Sequence, residues 1–431
     1  MINFEEKKFY HTCYEAYIND YIKETMRQNS KARAAFIIFI ITLIIALLGF
    51  SKPLFANTNI QLKEDTGQTI YLAKNFEENI KNKYAGSYIN FTTKGLAHIK
   101  TTKYIKGRPI KINIVELNTN VNPYLKIKPE ISSTKLNSKS TVRKIAQRQN
   151  ALIAINGGFF KPTTGVPLGA LMIDGEVLTG PIYNRVGIGI FEENNNTYFK
   201  MGNIDFDIKA YTKSGMYKID NINQPRMLST HILIYTNIWG NYSPACKNNN
   251  WNILIRGNKV IAVSANPIKI ENNDIVLQGN KEILRKIIKD KEVYIDIKLQ
   301  DEFKKASHII AAGPYLVKDG QIYIDVKTQK LDAISGKNPR SAIGYKNDGT
   351  LIIVTVDGRE ENSVGMTLTE LATMMKKLGC EYAMNFDGGS SSAMYVKGRI
   401  VNQAVNKEGI PVSNALIVRE EITSDIQISS L

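Results

Sequence analysis

The stretch from Gly365 to Met394, GMTLTELATMMKKLGCEYAMNFDGGSSSAM, sets the strictest local terms on how this chain can fold. Thr367 and Glu370 stand at the S/T-x-x-E spacing of a capping box, in which each side chain satisfies an orphan amide at a helix start. Leu368, Leu371, Ala372, Met375 and Leu378 then recur on one helical face, and Gly379 is a natural stop. Tyr382 to Phe386 is a short apolar run that reads as a buried strand, and Asp387-Gly388-Gly389-Ser390-Ser391-Ser392 follows at once. A carboxylate, hydroxyls and bare backbone amides therefore converge where a strand ends, and the glycines allow close approach of a ligand.

A second stretch repeats this order. TVRKIAQRQNALIAINGG, ending at Asn156-Gly157-Gly158, and TLTELATMMKKLGCEYAMNFDGG share Thr, amphipathic helix, apolar strand, Asn and Gly-Gly. NRVGIGI from Asn184 and NPRSAIGY from Asn338 likewise share an Arg ahead of a glycine-bearing strand. The predicted class is α+β or mixed α/β: mixed sheets with flanking helices, in two related halves that meet at one site. Other strands are expected at KINIVELNTNVNPYLKIKPE from Lys111, at Leu351–Val356 and at Ala415–Val418, with hairpins at Asp174-Gly175 and Lys397-Gly398 and a helix near 280–290.

The N-terminal part reads differently. Residues 1–33 are polar and form an expected cytoplasmic tail. Ala34 to Phe50 is uncharged and apolar, slightly short of the ~20 residues of a spanning helix and long for a signal-peptide core. The prediction is one transmembrane helix or signal anchor over 34–50. Lys31 and Arg33 before it favour a cytoplasmic N-terminus. The body is then membrane-anchored and extracytoplasmic, or secreted if cleavage follows Ala56. Residues 51–95 are read as a spacer with the first strands, and 96–425 as the main domain.

The 431 residues carry a net charge of +16, so a polyanionic partner is possible. No dense basic block and no nucleic-acid motif occurs, and a nucleic-acid partner is not expected. Cys13, Cys246 and Cys380 make neither a metal-ligand spacing nor a disulfide framework, and the four histidines are scattered. A Walker A motif, a G-x-S-x-G elbow and an H-E-x-x-H helix are all absent.

The polar residues at predicted strand ends are Asn156, Arg340, Asp357, Arg359, Asn385, Asp387 and Ser390. Two carboxylates with two arginines make an inventory for hydrolysing an anionic substrate. Arginine holds phosphate by bidentate, charge-assisted bonds that lysine cannot copy. A carboxylate can act as base or nucleophile at an anomeric carbon. A phosphomonoester leaving group has a second pKa near 6 and needs less help from an acid than an alcohol does.

NGGFF (Asn156–Phe160), GP-x-L (Gly313–Leu316), PRSAIG (Pro339–Gly344), VDGR (Val356–Arg359), the G-x-TL-x-ELA run from Gly365, NFDGGSS from Asn385 and SNAL (Ser413–Leu416) agree in order and context with one family. The chain resembles the phosphodiester glycosidases over about residues 100–420, most specifically in its C-terminal half. Bacterial members are often described as exopolysaccharide biosynthesis proteins. The resemblance implies a site of Asn156, Gly157, Arg340, Asp357, Gly358, Arg359, Asn385, Asp387, Gly388, Gly389 and Ser390. Arg340 and Arg359 are assigned to the phosphate, and Asp357 and Asp387 to the chemistry or to orienting the sugar. It implies a hydrolase of N-acetylglucosamine-1-phosphodiester-like or envelope and exopolysaccharide substrates, with no cofactor predicted. One departure is Ile410, where family members commonly have an Arg before Pro-Val-Ser-Asn-Ala-Leu. Two alternatives stand beside this reading. One is a metal-assisted phosphodiesterase with Asp357 and Asp387 holding Ca²⁺ or Mg²⁺. The other is a non-catalytic module for an anionic glycan.

Overall fold

The chain's preference for two-residue turns decides its architecture. Lys106-Gly107, Asp174-Gly175, Asp319-Gly320 and Lys397-Gly398 all have both residues at positive φ, for example 51° and 77° at Asp174 and Gly175. Such pairs match the right-handed twist of antiparallel ribbons and close tight hairpins. The computed structural model describes residues 70–421 apart from 194–195, 226–227 and 248. Its described residues from Tyr71 onward lie in one compact unit.

A central eight-stranded sheet runs in the order Tyr88–Thr93, Leu96–Ile105, Arg108–Leu117, Leu351–Val356, Arg340–Tyr345, Tyr382–Asn385, Tyr315–Lys318, Gln321–Ile322. Every pairing within it is antiparallel, with Arg340 opposite Val356 and Ala342 opposite Asn385. A five-stranded sheet contains Ile153–Asn156 between Met394–Val396 and Asn414–Glu420. Another contains His308–Ala311 between Leu171–Ile173 and Val186–Glu193. Two outlying sheets, of three and five strands, occupy residues 206–299.

The apolar run Leu351–Val356 is fully buried because both faces of the central sheet are covered. Leu351 and Ile353 face a core shared with the two inner five-stranded sheets. Ile352, Val354 and Val356 face a second core, filled by Ile80 of the helical residues 71–83 and by Leu371, Ala372 and Met375 of the helix Leu368–Lys377. That helix begins with the expected capping box: Glu370 N–H donates to Thr367 Oγ1 at 3.2 Å and Thr367 N–H to Glu370 Oε2 at 2.8 Å.

Two expectations are corrected. The fold is mostly β, 44% strand against 14% helix, rather than α+β or mixed α/β. The two helix–strand units do not build α/β halves. Their strands, Ile153–Asn156 and Tyr382–Asn385, belong to two different sheets and are paired antiparallel. Local helix periodicity was legible, but hairpin turns outnumber the helices and dictate the ladders. The spanning helix or signal anchor is the second correction. Among the described residues no helix is long and apolar enough to cross a membrane. The run 34–50 that carried this expectation lies outside the described residues, as does Ala56. The membrane partner and the anchored, extracytoplasmic location that rested on it are withdrawn.

Candidate active site

The strand Tyr382–Asn385 ends at Phe386, and the chain then turns through Asp387 into a single 3-10 turn, Gly389–Ser391. Asp387 is held by its backbone on both sides. Its N–H donates to Gly157 C=O at 3.1 Å, and its C=O accepts from Asn156 Nδ2 at 2.6 Å. Asn156 is completely buried and its Oδ1 accepts from Ser341 Oγ (2.7 Å) and Ala393 N–H (3.2 Å). One amide thus ties the central sheet, its own sheet and the Asp387 turn together. Gly157 must lack a side chain here, since a Cβ would stand 1.9 Å from Asn414 Oδ1. Gly389, at φ +60°, sits against the Arg359 guanidinium.

Asp387 lines a cavity of about 170 Å³ together with Phe159, Asn338, Arg340, Arg359 and Asn385. Burial pushes its carboxyl up to about 6, against smaller opposing pulls from the Ser391 hydroxyl, the Gly388 amide and the Arg185 guanidinium. Its Oδ1 accepts from Gly388 N–H at 3.0 Å. A carboxyl near 6 can hold or release a proton at physiological pH.

Arg340 is 2% exposed. Its Nε donates to Met366 C=O (2.9 Å) and its Nη2 to the carbonyls of Ile334 (2.9 Å) and Gly336 (2.6 Å). Among the described residues no carboxylate lies within 4 Å of it. Burial, and then the neighbouring Arg359, lower its pKa to about 10, so it remains a cation at neutral pH. A buried cation fixed by three carbonyls, with no described carboxylate beside it, has the chemistry to hold an anion. Arg359 is exposed at the rim, at φ 68°. Its Nη2 donates to Asn338 Oδ1 at 2.9 Å and its Nη1 to Ser390 Oγ at 3.3 Å. Asn385 is 1% exposed and uses its Nδ2 on the carbonyls of Gly313 and Phe386, while its Oδ1 is buried with no partner among the described residues. That orphan acceptor belongs to a residue of the cavity wall and suits a hydroxyl donor.

The structure does not bring Asp357 to this cavity. Asp357 is 2% exposed, and its Oδ1 accepts from Gln403 N–H at 2.8 Å. Its carbonyl accepts from Ser363 Oγ at 2.7 Å. Burial raises its pKa, opposed by the Gln403 and Asn402 hydrogen bonds. Gly358 works as a close-approach glycine, since a Cβ there would stand 2.8 Å from both Gly365 Cα and Pro339 N. Gly388 is similarly close to Pro339 C=O, at 3.0 Å. Among the described residues no group of three His, Cys, Asp or Glu is placed to hold a metal ion.

Sequence reasoning missed Arg185 as a site residue. It is 6% exposed, lies 4.9 Å from the centroid of the cavity residue Phe159, and has a buried Nε without a hydrogen-bond partner among the described residues. Its signal was present: NRVGIGI places Arg185 ahead of a glycine-bearing strand as NPRSAIGY places Arg340. Asn338, in the same motif as Arg340, was also passed over.

Comparison with known proteins bears on this site. Residues 248–419, which hold both arginines and both aspartates, match the family model described as phosphodiester glycosidase. The SPbeta prophage-derived uncharacterized protein YomE of Bacillus subtilis (strain 168) is 38% identical over 117 residues. That match covers 27% of this chain and only 18% of the relative's length. A crystal structure of a hypothetical protein from Synechocystis shares the fold at a TM-score of 0.71 and 23% identity, covering 78% of this chain and 64% of that one. The zebrafish N-acetylglucosamine-1-phosphodiester alpha-N-acetylglucosaminidase catalytic domain gives a TM-score of 0.41 at 16% identity, covering 78% of this chain and 88% of that one. That likeness is too weak to carry an argument. Over residues 248–419 the chain thus matches the phosphodiester glycosidase family model, in agreement with the motifs along that stretch, and the match supports a glycosidase-type hydrolase.

Proposed function

We propose that the chain hydrolyses glycosyl phosphodiesters of the N-acetylglucosamine-1-phosphodiester kind, including those within envelope or exopolysaccharide polymers. The observation that carries this reading is the pairing, in one cavity, of the buried Arg340, which has no counter-ion among the described residues, with a carboxyl near 6 at Asp387. In this reading the diester phosphate lies between Arg340 and Arg359, and the sugar lies over Asp387 with a hydroxyl on Asn385 Oδ1. Asp387 takes a proton from water as the water oxygen bonds to the anomeric carbon. The carbon–oxygen bond to phosphate breaks with its electron pair staying on the phosphate. The released phosphomonoester has a second pKa near 6 and is stabilised by the guanidinium groups, so it departs without a protonated acid. Asn156 and the backbone around Gly157, Gly388 and Gly389 position Asp387. Ser390 orients Arg359. Asp357 acts at a distance, by fixing the segment at Gln403.

Attack at phosphorus with Asp357 and Asp387 sharing a metal fits these residues poorly, because Asp357 is engaged at Gln403 and does not line the cavity. Turnover of methyl N-acetylglucosaminyl phosphate in ¹⁸O-enriched water tests the reading. The label is expected in the released sugar, and label in the phosphate overturns attack at carbon.

A further inference from the structure

The cavity at Asp387, about 170 Å³, is below the ~300–1,000 Å³ usual for ligand sites, so it has room for little beyond the reacting centre. A cleft of about 690 Å³ falls within that range. The two are neighbours along the chain. Phe159 lines the small cavity, while Lys161 and Thr164 line the large one. Two residues of extended backbone span at most about 7 Å, which bounds the separation of the Phe159 and Lys161 Cα atoms.

The cleft wall has a particular chemistry. Trp239 is half-buried there, and its ring is set edge-on against Tyr235, with centroids 4.9 Å apart. Tyr235 is itself fixed by a 3.2 Å bond from its hydroxyl to Gln224 C=O. The same wall is rich in amides, among them Asn249, Asn250 and Asn280. Asn250 is 6% exposed, and its side chain has no hydrogen-bond partner among the described residues. Lys161 and Lys247 are exposed at the cleft and pair with no carboxylate among the described residues, and no Asp or Glu is among the described residues of the wall. An aromatic platform suits the apolar face of a sugar ring, the amide of Asn250 suits a hydroxyl, and lysines with no described carboxylate partner suit intervening anionic groups.

We propose that this cleft is a subsite for an anionic glycan chain, sugars joined through phosphate, whose terminal glycosyl phosphate reaches Asp387. The inference rests on the function proposed above and adds that the substrate is a polymer, not a small diester. The test uses the full chain carrying Asp387→Asn, titrated by calorimetry with an oligomer of N-acetylglucosamine 1-phosphate and with methyl N-acetylglucosaminyl phosphate. The oligomer is expected to bind at least about tenfold more tightly, an excess of about 1.4 kcal/mol. Raising salt erodes that excess. Trp239→Ala and Asn250→Ala each remove most of it, and Trp239→Phe, which keeps a ring, restores it. In the active chain the ratio of kcat/KM for oligomer over methyl diester falls by the same factor in Trp239→Ala. Equal binding of oligomer and diester, or an excess untouched by both alanine variants, overturns the subsite. A neutral chitin oligomer that binds as tightly overturns its anionic assignment. Tight, Trp239-dependent binding of an oligomer that is never hydrolysed leaves the subsite standing and overturns the proposed reaction instead.

Discussion

Replacing Asp387 by Asn separates what this carboxylate does for the reaction from what it costs the fold. Burial raises its pKa from 3.8 to about 6. At 1.36 kcal/mol per unit, the charged form is disfavoured in the folded protein by up to about 3 kcal/mol. The sign follows from linkage. A carboxyl with a raised folded pKa binds its proton more tightly folded than unfolded, so the penalty is absent below about pH 4. It grows between about pH 4 and 6 and is complete above 6. Asparagine keeps an oxygen to accept from Gly388 N–H, so the hydrogen bond at 3.0 Å survives and only the charge is lost. The variant is therefore expected to be more stable than the wild type by up to about 3 kcal/mol at pH 7.5, and no more stable at pH 4. In thermal melts this is a rise of roughly 5 °C at the higher pH. Over the same change, hydrolysis of methyl N-acetylglucosaminyl phosphate falls by roughly 10²–10⁴, the usual share of a positioned base. Wild-type kcat/KM rises with pH through about 6. A variant with the same stability increment at both pH values, or a wild-type rate flat across pH 5 to 7, refutes the placement of a working carboxylate with a raised pKa here.

Three further outcomes are expected. Arg340→Lys removes the planar fork that reaches the carbonyls of Met366, Ile334 and Gly336, so KM for a phosphodiester rises at least about tenfold and inorganic phosphate inhibits more weakly, both read from steady-state kinetics. Asn156→Ala leaves Ser341 Oγ, Ala393 N–H and Asp387 C=O without their partner, at about 1–3 kcal/mol for each group left unpaired; denaturant unfolding reads the loss, and kcat falls more than KM changes. Glu116 is 1% exposed between Lys83 (2.6 Å) and Lys346 (2.8 Å); burial pushes its pKa up, but the two lysines outweigh it and hold it below the usual range. Its stabilisation is thus present above the ordinary carboxylate pKa and lost as pH falls through the folded value. Glu116→Gln should cost about 3–5 kcal/mol at pH 7 in urea unfolding, and progressively less in acid.

How far the sequence carried depends on whether a signal was local. The capping box at Thr367 and Glu370, the strand at Tyr382, the hairpins and the helix Lys281–Asp290 are written in a few consecutive residues each, and they are found where the spacing put them. Sheet partnership is not local. LIIVTV reads equally as a parallel strand between helices or as the buried centre of an antiparallel sheet. Only the long-range pairing of Leu351–Val356 with Arg108–Leu117 and Arg340–Tyr345 decides between them. The same limit explains Asp357. An Asp-Gly at a strand end looks alike whether its carboxylate faces a ligand or a backbone amide, and here Gln403, far along the chain, takes it. Arg185 was legible as half of a repeat and was overlooked because its partner, the Phe159 ring, is supplied by another segment.

Removing Asp357 from the cavity leaves one carboxylate among its lining residues, against the two that glycosidases ordinarily require. In the proposed reaction the substrate accounts for the difference. With an alcohol leaving group, a second carboxyl must deliver a proton, since an alkoxide is too basic to depart. A phosphomonoester departs near its own pKa, and what it needs is countercharge already in place. Under that proposal Arg340 supplies the charge from a socket of three carbonyls that fix its geometry without neutralising it. Arg359 can approach from the rim because Gly389 has no side chain to block it. The same reasoning sets the limit of the chemistry. If the phosphate is replaced by an uncharged alkyl or aryl aglycone, nothing in the cavity protonates the departing oxygen and the guanidinium pair has no anion to hold. Simple alkyl N-acetylglucosaminides should therefore be turned over at least about 10²-fold more slowly than the phosphodiester, the smallest usual share of a missing general acid. Comparable rates on the two substrates would mean that an acid outside this cavity takes part.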